Sequence, residues 1–306
     1  MNRKVNDNPQ RSICGQICVA KLSFSKSFCS YKTSKMSFVL PIFFTILIAI
    51  VFSQLVLVSQ PYNKDSLFSL FNLEVFSPFN LFIMAVSTVV ILYLFLRAVK
   101  TGKEIAVRIL ASFYILAGCY SILLVSRLVF IMTGSDSQLL LLVPAAATFV
   151  GMFGAFLVFI GNLPVKERNR LFVISSGAFG ALIGVIMPTS LVLGVLIAFS
   201  IADTILILNK SIQKSFGETK YEEILQQLTF STTEWGVGIG DLICYSIITA
   251  NTSIYFGIYP GILSLVLVLV GSYITMKVAA KQSHFPGLPI PTALSLLPSL
   301  GLLLFS

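Results

Sequence analysis

Apolar runs of 18 or more residues recur along the whole sequence, and they limit what this chain can fold into. An α-helix rises about 1.5 Å per residue, so each run is long enough to cross a bilayer core of roughly 30 Å. Of the 306 residues, 56% are hydrophobic and only 11% are charged, an apolar excess that a soluble interior does not need. The sequence therefore predicts an all-α polytopic membrane protein and excludes a soluble enzyme.

Nine spans are predicted, and two of the divisions between them depend on helix-breaking residues. Residues 171–208 form an almost unbroken apolar stretch of about 57 Å as a helix, which Pro188 and Thr189 divide. The Tyr259-Pro260-Gly261 sequence divides residues 235–276 in the same way. The predicted spans cover residues 37–59, 78–97, 108–132, 138–161, 171–187, 190–209, 235–258, 261–280 and 286–306.

The distribution of Lys and Arg predicts the orientation of these spans. The loops after the even-numbered spans hold twelve basic residues, whereas the loops after the odd-numbered spans hold Lys64. Because basic loops stay in the cytoplasm, we expect the N-terminus inside and the C-terminus outside. Residues 1–36, with seven basic residues and Asp7, are expected to be a disordered cytoplasmic tail, unless the protein begins at Met36. Residues 37–306 then form one membrane domain, in which no transporter-like internal repeat is evident.

Charge and cysteine content argue against several other kinds of site. The net charge of +9 comes from basic residues between apolar runs, which favours membrane orientation over nucleic-acid binding. Cys14 and Cys18 have metal-like spacing, but no second cysteine pair follows and His284 is the single histidine, so neither a metal site nor a disulfide framework is expected. The side chains of Arg108 and Arg127 are expected to extend along the helix so that their guanidinium groups reach the membrane surface. No cofactor is expected.

Two acidic residues lie inside apolar runs, where an ionised carboxylate costs on the order of 3 kcal/mol. Asp203 precedes Lys210 by seven residues, and Asp241 follows Glu234 by seven. On two antiparallel helices, both carboxyl groups would lie roughly 10 Å inside the cytoplasmic boundary. Two such groups cannot easily both be ionised, so they are expected to share one proton, as the acid pair of an aspartic protease does. Asp203 and Asp241 are therefore the candidate catalytic residues.

Glycines precede the second of these acids. Gly236, Gly238 and Gly240 alternate with apolar residues just before Asp241, which removes side chains where a substrate backbone would approach. The Gly180-x-x-x-Gly184 spacing, in contrast, is interpreted as a helix-packing pattern.

A proline segment opens the last predicted span. Pro286 and Pro289 flank Gly287 and Leu288, and proline both lacks an N–H and biases the preceding residue toward extended geometry. Residues 286–290 are therefore expected to be non-helical. Such backbone could pair with an unwound substrate, or it could simply be the loop into the span.

The Gly238-Ile239-Gly240-Asp241 sequence resembles the GxGD motif of the presenilin and signal peptide peptidase family of intramembrane aspartyl proteases. Asp203 occupies the position of the family's other acid, although Ala202 stands where the family usually has Tyr. The proline segment resembles the family's PALP sequence, with Gly287 in place of Ala. The resemblance implies a nine-helix presenilin-like fold, catalytic helices at about 190–209 and 235–258, and an active site bordered by Gly238, Ile239, Gly240, Pro286, Gly287, Leu288 and Pro289.

The leading hypothesis is an aspartic endopeptidase that cleaves peptide bonds within transmembrane segments of membrane proteins or signal peptides, with the two acids as general acid and base. Its expected partners are the transmembrane helix of a substrate and the lipid bilayer, and obligate partner subunits are not indicated. The predicted orientation favours a compact, microbial, presenilin-like member over a signal peptide peptidase. Such a member would be a multi-pass protein of the plasma membrane.

Two alternatives would use the same acids. A cation- or proton-coupled transporter explains buried carboxylates, but it leaves the proline segment unexplained and usually has internal repeats. A prepilin-type peptidase shares the glycine-acid motif, but it has fewer spans and a first acid closer to a loop.

Overall fold

The computed structural model describes residues 36–58, 104–133, 139–208, 228–231, 236–280 and 286–305. Within these ranges the chain forms nine helices and a two-stranded sheet. The elements are α1 (Met36–Val58), α2 (Glu104–Thr133), α3 (Leu139–Ile160), α4 (Val165–Ile186), α5 (Thr189–Leu208), β1 (Thr229–Ser231), β2 (Gly236–Gly238), α6 (Ile239–Tyr255), α7 (Ile258–Ala279), α8 (Pro289–Ser295) and α9 (Leu297–Phe305).

Eight of the nine predicted spans coincide with described helices, and α8 and α9 together correspond to the last span. The span predicted at residues 78–97 and almost all of the basic tail lie outside the described residues. Four helices, α1, α2, α4 and α7, are long and apolar enough to cross a membrane. Other helices of the bundle also have apolar outer surfaces. On α3, for example, Phe149 is 74% exposed. The chain is therefore a helical integral membrane protein.

The division between α4 and α5 lies where the sequence predicts it. Helix α4 ends at Ile186, and α5 begins at Thr189 directly after Pro188. The buried Asn251 side chain on α6 donates hydrogen bonds to the carbonyl oxygens of Gly184 and Met187, at 2.9 and 2.8 Å. These carbonyls at the end of α4 thereby gain partners that the broken helix cannot supply.

The start of α4 differs from the prediction. The helix begins at Val165 rather than at residue 171, so Lys166, Arg168 and Arg170 belong to its first two turns rather than to a loop. Polar residues in the first turns of a helix end the apolar run but not the backbone hydrogen bonding. A prediction based on apolar runs therefore places the start of this helix too late.

The turn between α6 and α7 also lies elsewhere than predicted. It is formed by Phe256 and Gly257, not by Tyr259-Pro260-Gly261. Gly257 has a φ of 99°, a left-handed conformation that glycine adopts without steric cost. Pro260 is the third residue of α7, where a backbone N–H has no partner within the helix, so proline is tolerated.

Helix α6 is the central helix of the described bundle and packs against α1, α4 and α7. The largest apolar core joins these helices to α5, with fully buried side chains such as Ile46, Leu196, Leu242 and Val268. This core lies directly behind the start of α6 and fixes the position of the residues that precede and follow it.

The predicted packing role of Gly180 and Gly184 is confirmed at the contact between α4 and α6. A Cβ atom on Gly180 would lie 2.4 Å from the Cβ of Ser246, and one on Gly184 would lie 2.4 Å from the carbonyl oxygen of Ile247. The two helix backbones can approach this closely only because both positions lack side chains.

Replacing Gly184 with Val is expected to destabilise the bundle, because the backbone of α6 cannot move away from the new side chain. Overpacking of this kind typically costs about 1–3 kcal/mol, which would lower the midpoint of thermal unfolding by about 2–6 °C. The matched control is Gly194→Val on α5, since nothing among the described residues lies within 4 Å of a Cβ at Gly194. Equal unfolding midpoints for the two variants in the same detergent would contradict the packing role.

Two of the three glycines before Asp241, Gly236 and Gly238, lie outside the helix, although the sequence predicts a helix from residue 235. Gly236–Gly238 form β2, which pairs antiparallel with β1, with Phe230 opposite Val237. Helix α6 begins only at Ile239. Extended backbone advances about 3.3 Å per residue instead of 1.5 Å, so the depth of Asp241 does not follow from a helical count starting at Glu234.

Candidate active site

Asp241 is held at the first turn of α6 by the helix start itself. Gly238 is the N-cap residue, and Asp241 is the third residue of the helix. The backbone N–H of Gly238 donates a hydrogen bond to the Asp241 carboxylate. An acid at this position that bonds back to the N-cap N–H is one half of a capping box, so the fold orients this carboxyl group before any substrate is present.

Asp203 lies on α5, five residues before the helix ends at Leu208. Its carboxylate oxygen Oδ2 accepts a hydrogen bond of 3.1 Å from the backbone N–H of Leu288. A second, weaker interaction comes from the N–H of Gly287. The proline segment thus supplies the main-chain donors that fix Asp203.

Both carboxyl groups lie against the same short piece of backbone. A Cβ atom built on Gly287 would lie 3.0 Å from Oδ2 of Asp241, while the next residue donates to Oδ2 of Asp203. Standard backbone dimensions then limit the separation of the two Oδ2 atoms to at most about 10 Å. The charges of Asp203 and Asp241 interact directly. The structure therefore brings together the two candidate acids and the centre of the proline segment.

The proline segment is less irregular than predicted. Pro286, Gly287 and Leu288 precede the helix, but Pro289 is the first residue of α8 and Ile290 the second. Leu288 has φ −84° and ψ −39°, which is helical rather than extended. Proline fits the first position of a helix because its missing N–H would have no partner there. The helical part of the last span is interrupted at Leu296, two residues before Pro298.

Tyr245 is a site residue that the sequence analysis misses. It is buried on α6, one turn after Asp241, and its hydroxyl donates a 3.3 Å hydrogen bond to the carbonyl oxygen of Gly287. The sequence signal that could have identified Tyr245 is its spacing of four residues from Asp241, because residues four apart on a helix lie on the same face. Tyr245 and Asp203 thus hold the Gly287–Leu288 backbone from two sides.

The small sheet fixes the direction of the backbone groups of β2 beside Asp241. Ile239 donates to the carbonyl of Leu228 at 3.1 Å, so pairing alternates such that Val237 faces β1 while Gly236 and Gly238 direct their backbone groups away from it. The outer edge of β1 is occupied by Asn169 of α4, which bonds to both N and O of Ser231, at 3.3 and 2.7 Å.

The two other predicted motif residues have different surroundings. The Ile239 side chain is buried in an apolar cluster with Phe172 of α4. Gly240 is exposed, and a Cβ atom there would meet nothing within 4 Å among the described residues. The space beside Gly240 is therefore open as far as the described residues are concerned.

An apolar groove lies between α5 and α8–α9. Its volume is about 480 Å³. Ser200 and Thr292, which both line it, are joined by a 3.0 Å hydrogen bond between their hydroxyl oxygens. Neither acid lines this groove, but Thr204 and Pro289, which do, directly follow Asp203 and Leu288 in the sequence. Such a groove can accommodate part of an apolar helix.

Within the described ranges there is no group of three or more His, Cys, Asp or Glu side chains that could hold a metal ion. Proton transfer is the chemistry that the described site supports through its own side chains.

No protein-family model matches the sequence, and no curated protein matches it. Among solved structures, a presenilin family intramembrane aspartate protease is similar, with a TM-score of 0.51 and 18% sequence identity. The similarity covers 89% of this chain and 99% of that one. An identity this low establishes the fold and not the activity. The chain has the presenilin-like fold that its Gly-x-Gly-Asp and Pro-Gly-Leu-Pro sequences predict.

Proposed function

We propose that this chain is an intramembrane aspartyl protease of the GxGD type that hydrolyses peptide bonds within transmembrane segments. The carrying observation is that Asp203 and Asp241, from two different helices, meet at the Gly287–Leu288 backbone. The presenilin-family fold favours this function over the transporter alternative. A transporter that passes ions between the two carboxyl groups would not need a backbone segment with hydrogen-bond donors between them.

In the proposed reaction one acid is ionised and the other is protonated. The carboxylate takes a proton from water as the oxygen attacks the scissile carbonyl carbon, and the carboxylic acid gives its proton to the carbonyl oxygen. The resulting gem-diol collapses as its C–N bond breaks: the carboxyl group that took the proton from water gives it to the leaving nitrogen, and the other carboxyl group takes a proton from a gem-diol hydroxyl. Across the cycle the acid pair returns to its starting protonation, and one water molecule is consumed. Asp203 and Asp241 are catalytic residues in this proposal.

The substrate would approach the acids as an unwound strand. A helical substrate shields its carbonyl groups with its own hydrogen bonds, so cleavage requires local unwinding. The outward backbone groups of Gly236 on β2 offer replacement partners near Asp241, and the groove between α5 and α8–α9 offers an apolar place for the adjoining helical part. We assign the pairing with the substrate to β2 rather than to the proline segment, for which the sequence left both pairing and a simple loop open.

The finer topology belongs to the same proposal. We infer nine spans with the N-terminus in the cytoplasm and the C-terminus outside, in the plasma membrane of a microbe. The support is the concentration of twelve basic residues in alternate loops and in the helix ends beside those loops. Catalysis by the single chain, without obligate partner subunits or a cofactor, completes the proposal.

The test is cleavage of a single-span substrate by the purified chain in proteoliposomes. We expect two products whose masses sum to that of the substrate plus one water, and inhibition by a peptide in which a hydroxyl-bearing carbon mimics the gem-diol. Absence of products together with ion-gradient-dependent flux across the same vesicles would favour the transporter and overturn the proposal. The inhibitor arm distinguishes this enzyme from a contaminating protease of another class.

Tyr245→Phe is expected to lower cleavage while leaving the fold intact. The change removes the hydrogen bond to Gly287 and keeps the buried ring, so the segment between the acids loses one of its two supports. A single uncharged hydrogen bond contributes about 0.5–1.5 kcal/mol, which corresponds to a fall in kcat of about two- to tenfold. A lowered kcat with an unchanged unfolding midpoint supports the positioning role. An unchanged kcat, or a loss explained by unfolding, contradicts it.

A further inference from the structure

The amide side chain of Asn169 joins helix α4 to the small sheet. Asn169 lies in the second turn of α4 and is buried, with 8% of its surface exposed. Its Nδ2 donates a hydrogen bond of 2.7 Å to the carbonyl oxygen of Ser231, and its Oδ1 accepts one of 3.3 Å from the N–H of Ser231. A side chain that bonds to both main-chain groups of one strand residue takes the place of a neighbouring strand.

The register of the sheet places this contact opposite Gly236. Ser231 of β1 pairs with Gly236 of β2, and the backbone groups of both residues point away from the partner strand. Asn169 occupies the outward side of Ser231, while the outward side of Gly236 is the part of β2 proposed to pair with the substrate. Asn169, Ser231, Gly236 and the substrate strand would then follow one another in a single row across the sheet.

The two strands have little of their own to fix their position. Each has three residues, and two of the three residues of β2 are glycines. Two-stranded sheets of this kind are marginally stable, and glycine-rich strands specify their register weakly. The side chains of Phe230 and Val237 pack against the largest apolar core, but apolar contacts are not directional. The two hydrogen bonds from Asn169 add a directional support.

Helix α4 can serve as an anchor because it is packed directly against α6, which carries Asp241. Gly180 and Gly184 allow the two backbones to approach closely. Phe172 of α4 also belongs to the same buried apolar cluster as Ile239, the first residue of α6. Hydrogen bonds from α4 to the sheet therefore fix the sheet relative to Asp241.

We propose that Asn169 is a positioning residue that holds the sheet in place for the substrate strand, and so determines which peptide bond reaches the acid pair. This inference rests on the proposed function, since it concerns the same site. Extended backbone advances about 3.3 Å per residue, so movement of the sheet by one such step would present a neighbouring peptide bond to Asp203 and Asp241. Asn169 acts through Ser231 and does not touch the reacting groups.

The first measurement is amide hydrogen exchange of the purified full-length chain, which does not depend on proteolysis. Asn169→Leu keeps a branched side chain and removes both hydrogen bonds to Ser231. We expect the backbone amides of β1 and β2 to exchange about tenfold faster in this variant, because the sheet opens more often. Exchange equal to that of the wild type would overturn the role of Asn169 in holding the sheet.

The second measurement is the set of products cut from a single-span substrate, identified by mass. We expect Asn169→Leu to lower kcat/KM by about tenfold and to spread the cuts over peptide bonds next to the one that the wild type prefers. A variant that was only less stable would release less product with the same termini. Unchanged product termini would therefore overturn the positioning role.

Ser176→Ala is the matched control. Ser176 lies on the same face of α4, two turns after Asn169, and its hydroxyl donates to the carbonyl oxygen of Phe172 and accepts a hydrogen bond from Tyr114. The variant thus loses buried hydrogen bonds on the same helix without losing those to the sheet, and it should keep the product termini of the wild type. An equal spread of cuts in Ser176→Ala would overturn the proposal.

If Asn169→Leu does not fold, Asn169→Asp carries the test. Aspartate keeps the shape and the acceptor for the N–H of Ser231, but it loses the donor of the 2.7 Å hydrogen bond. It should also spread the cuts, and unchanged termini would overturn the proposal. Absence of cleavage by the wild type would overturn the proposed function and the positioning role together, whereas wild-type cleavage with unchanged termini in the Asn169 variants would overturn the positioning role alone.

Discussion

Asp241→Asn is expected to reduce cleavage of a single-span substrate by about 10³-fold or more, and Asp203→Asn by a similar factor. Asparagine has nearly the shape of aspartate, but it can neither take a proton from water nor donate one to a carbonyl oxygen. Its amide oxygen still accepts the N–H of Gly238 or of Leu288, so the local structure should persist. The loss should therefore appear in kcat while the unfolding midpoint changes little.

Charge neutralisation elsewhere serves as the control for these two variants. Glu167→Gln removes one carboxylate from an exposed pair with Arg170 and should leave the cleavage rate unchanged. The double variant, Asp203→Asn with Asp241→Asn, should be no slower than either single variant, because the two acids act as one unit. A single variant that retains more than about a tenth of the wild-type kcat would contradict the two-acid mechanism.

Gly287→Val is expected to reduce cleavage by about 100-fold or more. Its Cβ would lie 3.0 Å from Oδ2 of Asp241, and its two methyl groups would extend into the space that this carboxylate and the substrate require. Displacement of a catalytic group by about 1 Å can cost about 10²-fold in rate. Measurement of kcat and of hydroxyl-inhibitor affinity for the same preparation would separate a displaced acid from an unfolded protein.

A graded series makes this prediction sharper. Gly287→Ala adds only the Cβ atom, so a shift of a few tenths of an ångström in the flexible Asp241 side chain should accommodate it, with a much smaller loss than Val causes. Gly194→Val on α5 is the matched control for the substitution itself. Activity of Gly287→Val equal to that of Gly194→Val would show that Gly287 does not border the reacting groups.

The sequence predicts the helices and the acid pair because both depend on the membrane as solvent. Long apolar runs have one stable outcome in a bilayer, and a carboxylate such as Asp203 inside such a run is costly enough to be conspicuous. The roles of the candidate residues remain predictions, but their meeting place at Leu288 is a property of the fold.

Other features depend on contacts that no local pattern encodes. Strand β2 has three residues, too few for a period of two, and its partner lies in a segment that hydropathy cannot distinguish from a loop. Proline at residue 289 fits both a loop and a helix start, so sequence alone could not choose between them. The role of Tyr245 depends on a carbonyl 42 residues away along the chain.

The glycines of β2 have a consequence for what the proposed enzyme can select. The outward edge of β2 near Asp241 offers the main chain of Gly236, which carries no side chain. Main-chain pairing is nearly indifferent to the identity of the residues that pair. The enzyme would then select among membrane proteins before they dock, according to how readily each substrate helix unwinds. The local stability of the substrate helix, rather than a consensus sequence, would determine where it is cut.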